Sequence, residues 1–569
     1  MRGPRRAGRI WPAIACVAVA AIVGLVGAPL LDGPTAATRA GAAVTGIHKI
    51  KHVIIIMQEN RSFDDYFGTY PGATGIPMKH GEPTVCNRNP KNGQCVKAYP
   101  VHTDVEDDLP HNALASVRGV NNGKMNGFVS AANRGSFGIL GKGAMAYHTA
   151  GDIPNYWAYA RSNVLQDHMF APARSWSLPE HLFMVSAWSA KCPSHTSMAC
   201  FGDINGPAPA PPEFGDPLHV KINANTPIYA WTDLTYLMFK HKVSWGYYVV
   251  AGAEPACSTG AQISCAPRPL KYTTPGFWNP LPYFDTVRKD KQLRNIKSVD
   301  RFYAEAAKGT LPAVSWVTPS QDVSEHPPAA ISAGQSYVTS LINAVMRGPD
   351  WKSTAIFVSW DDWGGFYDNV KPPKIDNNGY GIRVPGLVVS PYARKGYVDH
   401  QTLSSDSYLK FIEDDFMSSR RIDPKTDGRP DRRPDVRENA KQLGDLVNDF
   451  DFSQKPRAPK LLPLHPKTTL IAQVPFAPLV KSATPDVGKV TLVWDVPSSD
   501  GGRAIDHYLV TPYRNGVAEP AHTYPVNAPY VYTDVIAGLV SGAQYSFTVQ
   551  AVNALGPGAA GQSPTVTVR

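Results

Sequence analysis

The chain has 569 residues, 43% hydrophobic and 18% charged, which excludes global disorder and is too long for one ordinary domain. Its net charge of +9 is modest at this length. That balance favours anionic partners such as phosphate esters or acidic lipid surfaces and lacks the dense basic footprint of a nucleic-acid binder.

Arg2, Arg5, Arg6 and Arg9 form a basic start, followed by an apolar run over 10–31 and a small-residue stretch over 33–46. That order is the order of an export signal, and the run is also long enough to stay as a membrane anchor. Residues 1–45 are therefore read as signal peptide or N-terminal anchor, with the rest of the chain secreted or in the cell envelope. Cys16 lies in the signal, and the other six cysteines fall in three close pairs: Cys86 with Cys95, Cys192 with Cys200, and Cys257 with Cys265. Spacing alone leaves the connectivity open. An even count in an exported chain without C-x-x-C spacing favours disulfides over metal ligation, so three local loop staples are expected.

The first apolar run, 52–57, predicts a buried strand, and Gln58-Glu59-Asn60-Arg61-Ser62-Phe63-Asp64 follows it directly. In open α/β sheets the ligand crevice lies beyond the carboxyl ends of strands, where Glu59 and Asn60 would project. Taken alone, the pair also reads as a polar turn. His111, in Asp108-Leu109-Pro110-His111-Asn112, and the segment Ser175-Trp176-Ser177-Leu178-Pro179-Glu180-His181 come next. No G-x-S-x-G elbow is present, which weighs against an α/β-hydrolase triad. Runs at 243–248 and 313–317 predict further strands, with His326 in Ser324-Glu325-His326-Pro327-Pro328 after them. Val338, Leu341, Ile342 and Val345 recur at helical spacing and predict a helix over 334–346.

Another strand, 355–360, leads into Asp361-Asp362-Trp363-Gly364-Gly365. Adjacent carboxylates repel unless a cation or proton intervenes, and a bound metal is the simplest resolution. The alternative is a solvated acidic turn. A strand at 384–389 and a helix over 406–416, carrying Leu409, Ile412 and Phe416, complete this part. Such continuous apolar strands suit a parallel sheet covered on both faces. From 418 to 467 the charged, proline-containing texture reads as an exposed loop or linker. Beyond 474 the runs at 490–494, 508–512 and 545–553 alternate like sandwich strands. Trp494, the stretch 539–545 and Ala551-Val552-Asn553 followed by Gly556 make this segment resemble a fibronectin type III domain.

In order along the chain, 52–68, 153–181, 324–335, 361–370 and 384–393 resemble the bacterial phosphoesterases that include non-haemolytic and haemolytic phospholipases C and a related acid phosphatase. The resemblance runs from about 50 to 416 and is most specific at Glu59-Asn60-Arg61-Ser62-Phe63-Asp64. It implies an α/β, alkaline-phosphatase-like α/β/α fold and a phosphoryl-enzyme route. By it, Glu59, Asn60, Asp361 and Asp362 would hold one divalent metal ion, with Ser177 as ligand and nucleophile. His111 and His326 would bind phosphoryl oxygens or serve as general acid. Ser177 falls where the family has Thr or Ser two residues before a proline, here Pro179. Trp176 stands where the family usually has proline, which keeps Ser175 as the alternative nucleophile. Oxygen ligands favour Ca²⁺, Mg²⁺ or Mn²⁺, with Zn²⁺ the remaining alternative. Trp363 and Asn369 stand where the family commonly has histidine, and Ser404-Ser405-Asp406-Ser407 where it often has D-H-T-S, with His400 nearby.

The expected layout is a signal or anchor at 1–45, a phosphoesterase domain at 46–420, a linker at 421–473 and an all-β, immunoglobulin-like sandwich of fibronectin type at 474–569. The expected activity is secreted, metal-dependent hydrolysis of phosphate esters through serine, phospholipase C-like, on a phosphate ester or phospholipid. Acid phosphatase action on phosphomonoesters and a catalytically inactive envelope binding protein are the alternatives. A cell-surface or polysaccharide partner is expected for the sandwich, and no nucleic acid.

Overall fold

Unbroken runs of valine, isoleucine and aromatic residues need a sheet covered on both faces. The computed structural model describes residues 45–569 apart from 134–140, 206–228, 256–266, 274, 479, 496, 498–499, 502 and 527–530. The expected export signal, up to residue 44, and the Cys257 and Cys265 pair lie outside the described residues. Eight strands form the central sheet: β1 (His52–Gln58), β2 (Val164–Gln166), β3 (Trp245–Val249), β4 (Ile296–Ser298), β5 (Val314–Thr318), β6 (Thr354–Trp360), β7 (Gly386–Val389) and β8 (Tyr397–Asp399). Their order is β4-β3-β5-β1-β6-β7-β2-β8.

The sheet is parallel except at β7, which runs against both β6 and β2. This corrects the expectation of a parallel strand at 384–389. Residues 361–385 contain no helix to carry the chain back across the sheet, so it returns antiparallel. The reversal brings Arg383, just before β7, to the edge where β1 and β6 end. Those two strands pair in register from His52 with Thr354 to Gln58 with Trp360. Glu59 and Asp361 therefore leave the sheet side by side.

Seven helices matter below: α1 (Phe63–Phe67), α2 (Ala113–Val120), α3 (Pro154–Ser162), α4 (Ser177–Ser186), α5 (Val299–Lys308), α6 (Ile331–Arg347) and α7 (Ser405–Phe416). The expected helices at 334–346 and 406–416 appear as α6 and α7, each slightly longer. Helix α6 buries Val338, Leu341, Ile342 and Val345, and the Ser404 and Ser407 side chains close a capping box on α7. The Cys86–Cys95 and Cys192–Cys200 disulfides are both formed. No helix among the described residues is long and apolar enough to cross a membrane.

The segment 421–473, expected as an exposed linker, instead wraps the body. Its charges satisfy the open carbonyl ends of helices. The Arg433 guanidinium donates to the Ser186 carbonyl, last in α4, at 3.0 Å. Arg457 donates to the Ser162 carbonyl, last in α3, at 2.5 Å. Phe450 stacks on Phe411 of α7 at 5.4 Å. Polar composition here marks helix-end partners rather than solvent.

The C-terminal region is all β. Strands β9 (Val480–Asp486), β10 (Lys489–Asp495) and β13 (Val531–Ala537) make one sheet; β11 (Ile505–Arg514), β12 (His522–Pro525), β14 (Gln544–Asn553) and β15 (Gly556–Gln562) belong to a second. Trp494, Tyr508, Tyr532 and Phe547 fill a separate core between them.

Candidate active site

Beyond β1 and β6 the backbone is bent tightly enough to bring the acidic residues together. Asn60 takes a left-handed φ of 61°, which asparagine tolerates better than most residues. Its backbone N–H donates to Asp361 Oδ1 at 3.1 Å, across 301 residues of sequence. Gly364 closes the turn, its N–H donating to Asp362 Oδ1 at 2.7 Å. A Cβ there would lie 2.4 Å from the Asn60 carbonyl oxygen, so this approach requires glycine.

Ser177 opens α4 and reaches the same crevice. Its hydroxyl donates to Glu59 Oε2 at 3.1 Å, and the other Glu59 oxygen lies 2.8 Å from His181 Nε2. Ser175 points elsewhere: its hydroxyl donates to the Ile204 carbonyl. His181 was not singled out as a site residue from sequence. The signal was present, since Ser177 and His181 are four apart and share one helix face. Burial holds the His181 pKa down at about 4. Its neutral ring can donate through Nε2 and so fix the Glu59 carboxylate.

Burial, reinforced by the Asp361 charge, raises the Glu59 carboxyl well above the usual range. Burial and Asp361 do the same to Asp362. Asp361 Oδ2 and Asp362 Oδ2 are buried without a hydrogen-bond partner. Two orphaned carboxylate oxygens beside a third carboxyl suit a cation. One atom each from Glu59, His181 and Asp361 lie within 4.8 Å of one another, a spacing that could hold an ion.

The Asn60 side chain points to the same conclusion. One end of its amide lies 2.9 Å from Asp361 Oδ1 and 3.3 Å from Glu59 Oε2; the other lies 3.3 Å from His111 Nε2 and 3.1 Å from His326 Nε2. Both histidines have Nδ1 at 2.7 Å from a carbonyl, Leu109 for His111 and Pro327 for His326. A singly protonated ring here therefore carries its proton on Nδ1 and offers Nε2 as an acceptor. Those acceptors want the amide NH₂, which turns the amide oxygen toward the carboxylates. A cation or a carboxyl proton among those oxygens would make that placement favourable.

The two imidazoles stand edge to face, 5.6 Å apart. Burial, then the neighbouring His111, lowers the His326 pKa to about 4. Asp108 lies 3.6 Å from His111 Nδ1, its carboxyl pushed up to about 8 by burial. Glu325 precedes His326 at a left-handed φ of 68° and accepts from Tyr66, Tyr156 and Trp360 at 2.7, 2.5 and 3.1 Å. This aromatic cradle fixes the loop that presents His326. Ser177, His111, His326, Glu59, Asn60, Asp361 and Asp362 thus all meet in one buried crevice.

Other positions singled out from sequence lie apart from these carboxylates. Trp363 is buried in an apolar cluster, and Asn369 accepts from Arg383 at 2.6 Å. Asp406 accepts from Tyr380 at 3.0 Å and pairs with Arg437, while His400 pairs with Asp167 at 2.8 Å.

The sequence profile of the Phosphoesterase family matches residues 50–417. The chain is 28% identical over 427 residues to the non-hemolytic phospholipase C of Burkholderia pseudomallei, covering 64% of this chain and 55% of that protein. It is 25% identical over 506 residues to phospholipase C B of Mycobacterium tuberculosis, covering 78% and 86%. To the non-specific phospholipase C6 of Arabidopsis thaliana it is 25% identical over 379 residues, covering 61% and 63%. The chain therefore spans little more than half the length of the Burkholderia protein.

Proposed function

This chain belongs to the Phosphoesterase family, and from that premise we propose that it is a phosphoric ester hydrolase of phospholipase C type, acting through Ser177 with one divalent metal ion. The observation that carries the reading is the Ser177 hydroxyl held on Glu59 beside two unpartnered carboxylate oxygens. Glu59, Asn60, Asp361 and Asp362 would hold the cation, with Ser177 beside them. When bound, it would supply positive charge to the phosphoryl oxygens and acidify a nearby hydroxyl.

The chain's own residues supply the rest. Ser177 Oγ is the nucleophile that attacks phosphorus, and Glu59 Oε2 is the nearest acceptor for its proton. Glu59 keeps its orientation through His181. Nε2 of His111 or His326 would deliver to the departing alkoxide a proton it has first taken up from solvent, and, once more an acceptor, would take one from the water that cleaves the phosphoserine. The names of the relatives support a phospholipid or other phosphodiester as substrate. The two disulfides support an exported protein. Turnover of a soluble chromogenic phosphodiester, lost on chelation and restored by adding back a divalent ion, tests the reading. Undiminished turnover by metal-free protein would overturn its metal requirement.

For the C-terminal sandwich the fibronectin type III reading is favoured by its strand pairing and by Tyr545. At the start of β14, that hydroxyl accepts from the Val540 N–H at 3.3 Å, a corner typical of immunoglobulin-like sandwiches.

A further inference from the structure

Helix α2 is packed inside out. It buries Ala115, Ser116 and Gly119, yet leaves Leu114 53% and Val117 52% exposed. A Cβ on Gly119 would sit 3.2 Å from the Phe128 ring, so the buried side accepts only the smallest residues. Leu114 and Val117 are three apart and share the outward face. Helices ordinarily turn such residues inward.

The place of this face matters as much as its composition. His111 immediately precedes the cap residue Asn112, whose side chain accepts from the Ala115 N–H at 2.9 Å. Leu114 therefore lies within about one helical turn, roughly 5 Å along the axis, of the crevice histidine. The flank is basic. Arg118 stands in the last turn of α2, Lys124 is exposed just beyond it, and the Lys371 side chain lies across Gly123. No acidic residue occurs between Leu109 and Gly127; the nearest in sequence are the buried Asp108 and the exposed Asp107.

We propose that this face docks on a phospholipid surface, Leu114 and Val117 entering the acyl boundary and Arg118, Lys124 and Lys371 meeting lipid phosphates. The inference rests on the phospholipase reading above and extends it from the reacting phosphate to the surface that presents it. An apolar pair with flanking cations is the composition of an interfacial helix. Its nearness to His111 gives the docking a purpose: a headgroup beside the inserted residues is already at the crevice.

The test uses the full chain and equimolar phosphatidylcholine–phosphatidylglycerol vesicles, with partition read by sedimentation. The Leu114→Ser/Val117→Ser variant should bind vesicles about tenfold more weakly, as expected for two apolar side chains kept out of lipid. Its kcat/KM on a soluble chromogenic phosphodiester should stay within about twofold of wild type, because neither side chain is in the crevice. Lys371→Gln should weaken partition less, and only at low salt. Unchanged partition of the double variant overturns the inference, as does wild type that turns over the soluble ester without binding vesicles. A wild-type dimer that the double variant splits into monomers also overturns it, by making a second copy the occupant. If metal-supplied wild type leaves the soluble ester untouched, the hydrolase reading fails instead; partition needs no turnover and still judges the face.

Discussion

The chain from Glu59 to Asp65 feeds two buried polar clusters of opposite character. On one side Glu59 and Asn60 meet Asp361 and Asp362, and among the described residues no lysine or arginine is hydrogen-bonded or ion-paired to their side chains; Arg61 reaches only the Asn60 carbonyl, at 3.2 Å. On the other, Arg61, Asp64 and Asp65 enter networks in which cations and carboxylates are matched. Arg383 takes Asp368 at 2.9 Å and Asp64 at 3.2 Å. Arg61 faces Asp65 at 3.6 Å and Glu106 at 3.7 Å, with His148 3.2 Å from Glu106. Burial alone would depress the His148 pKa, but Glu106 outweighs it and raises it. Asp65, Glu106 and His148 also have the spacing of an ion site, yet Arg61 and a protonated His148 already balance them. Matched charge builds scaffold, and unmatched buried charge waits for a ligand.

The largest expected effect falls in the unmatched cluster. If Ser177 is the nucleophile, as proposed, Ser177→Ala should lower kcat by on the order of 10³-fold or more while leaving the unfolding midpoint nearly unchanged. Ser175→Ala should stay active, since that hydroxyl is committed to the Ile204 carbonyl. The reverse pattern would move the nucleophile to Ser175.

Charge removal should act with opposite sign in the two clusters. Arg383→Met strands Asp368 and Asp64 in the interior and should cost about 3–5 kcal/mol in urea unfolding. Asp361→Asn removes repulsion and should stabilise the metal-free protein, by about 1 kcal/mol, while lowering bound metal in elemental analysis. If both substitutions destabilise the metal-free protein alike, the contrast between the clusters fails.

A smaller effect lies in the pH dependence of the matched cluster. Burial raises the Asp65 carboxyl from 3.8 to about 8. A raised pKa means that the folded chain holds this proton more tightly than the unfolded chain. The associated stability is therefore full below about pH 4 and is lost as pH climbs to about 8. His148, also raised, loses its share over the upper part of that window. Tm should fall between pH 6 and about 9, and Asp65→Asn should flatten that fall. An equal slope in the variant would assign the loss to other groups.

The uneven legibility of the chain follows from this same distinction. Strands β1, β5 and β6 were readable because continuous apolar runs admit few other structures, and Glu59 and Asp361 were readable because they adjoin those runs. The direction of β7 was not, because direction depends on whether a connection carries a helix, and 361–385 offers no periodicity either way. His181 escaped because a helix face shows only once the helix is placed. The role of 421–473 escaped because a charge that caps a buried helix end reads like one that faces water. Arg433 and Arg457 look no different in sequence from solvent-facing arginines.

The smallest expected effect concerns the sandwich, and the wrapped segment decides where to cut. The core around Trp494 and Phe547 is separate from the main core, and no crevice residue comes from it. The strap before it is a different matter. The Pro463 carbonyl accepts from Asn155 at 2.8 Å, the Leu462 N–H donates to Asn343 at 3.2 Å, and the Ile471 N–H donates to the His102 carbonyl at 2.6 Å. Asn155 opens α3, and Asn343 lies on α6, the helix that follows the His326 loop. A chain ending at Val474 keeps all three bonds and should hydrolyse the soluble ester within about twofold of the full protein. A chain ending at Lys460 loses them, leaves buried amide groups unpaired at about 1–3 kcal/mol each, and should melt at lower temperature. Thermal melts and ester turnover of the two truncations separate strap from sandwich. A Val474 chain that folds but does not turn over would make the sandwich part of the active site.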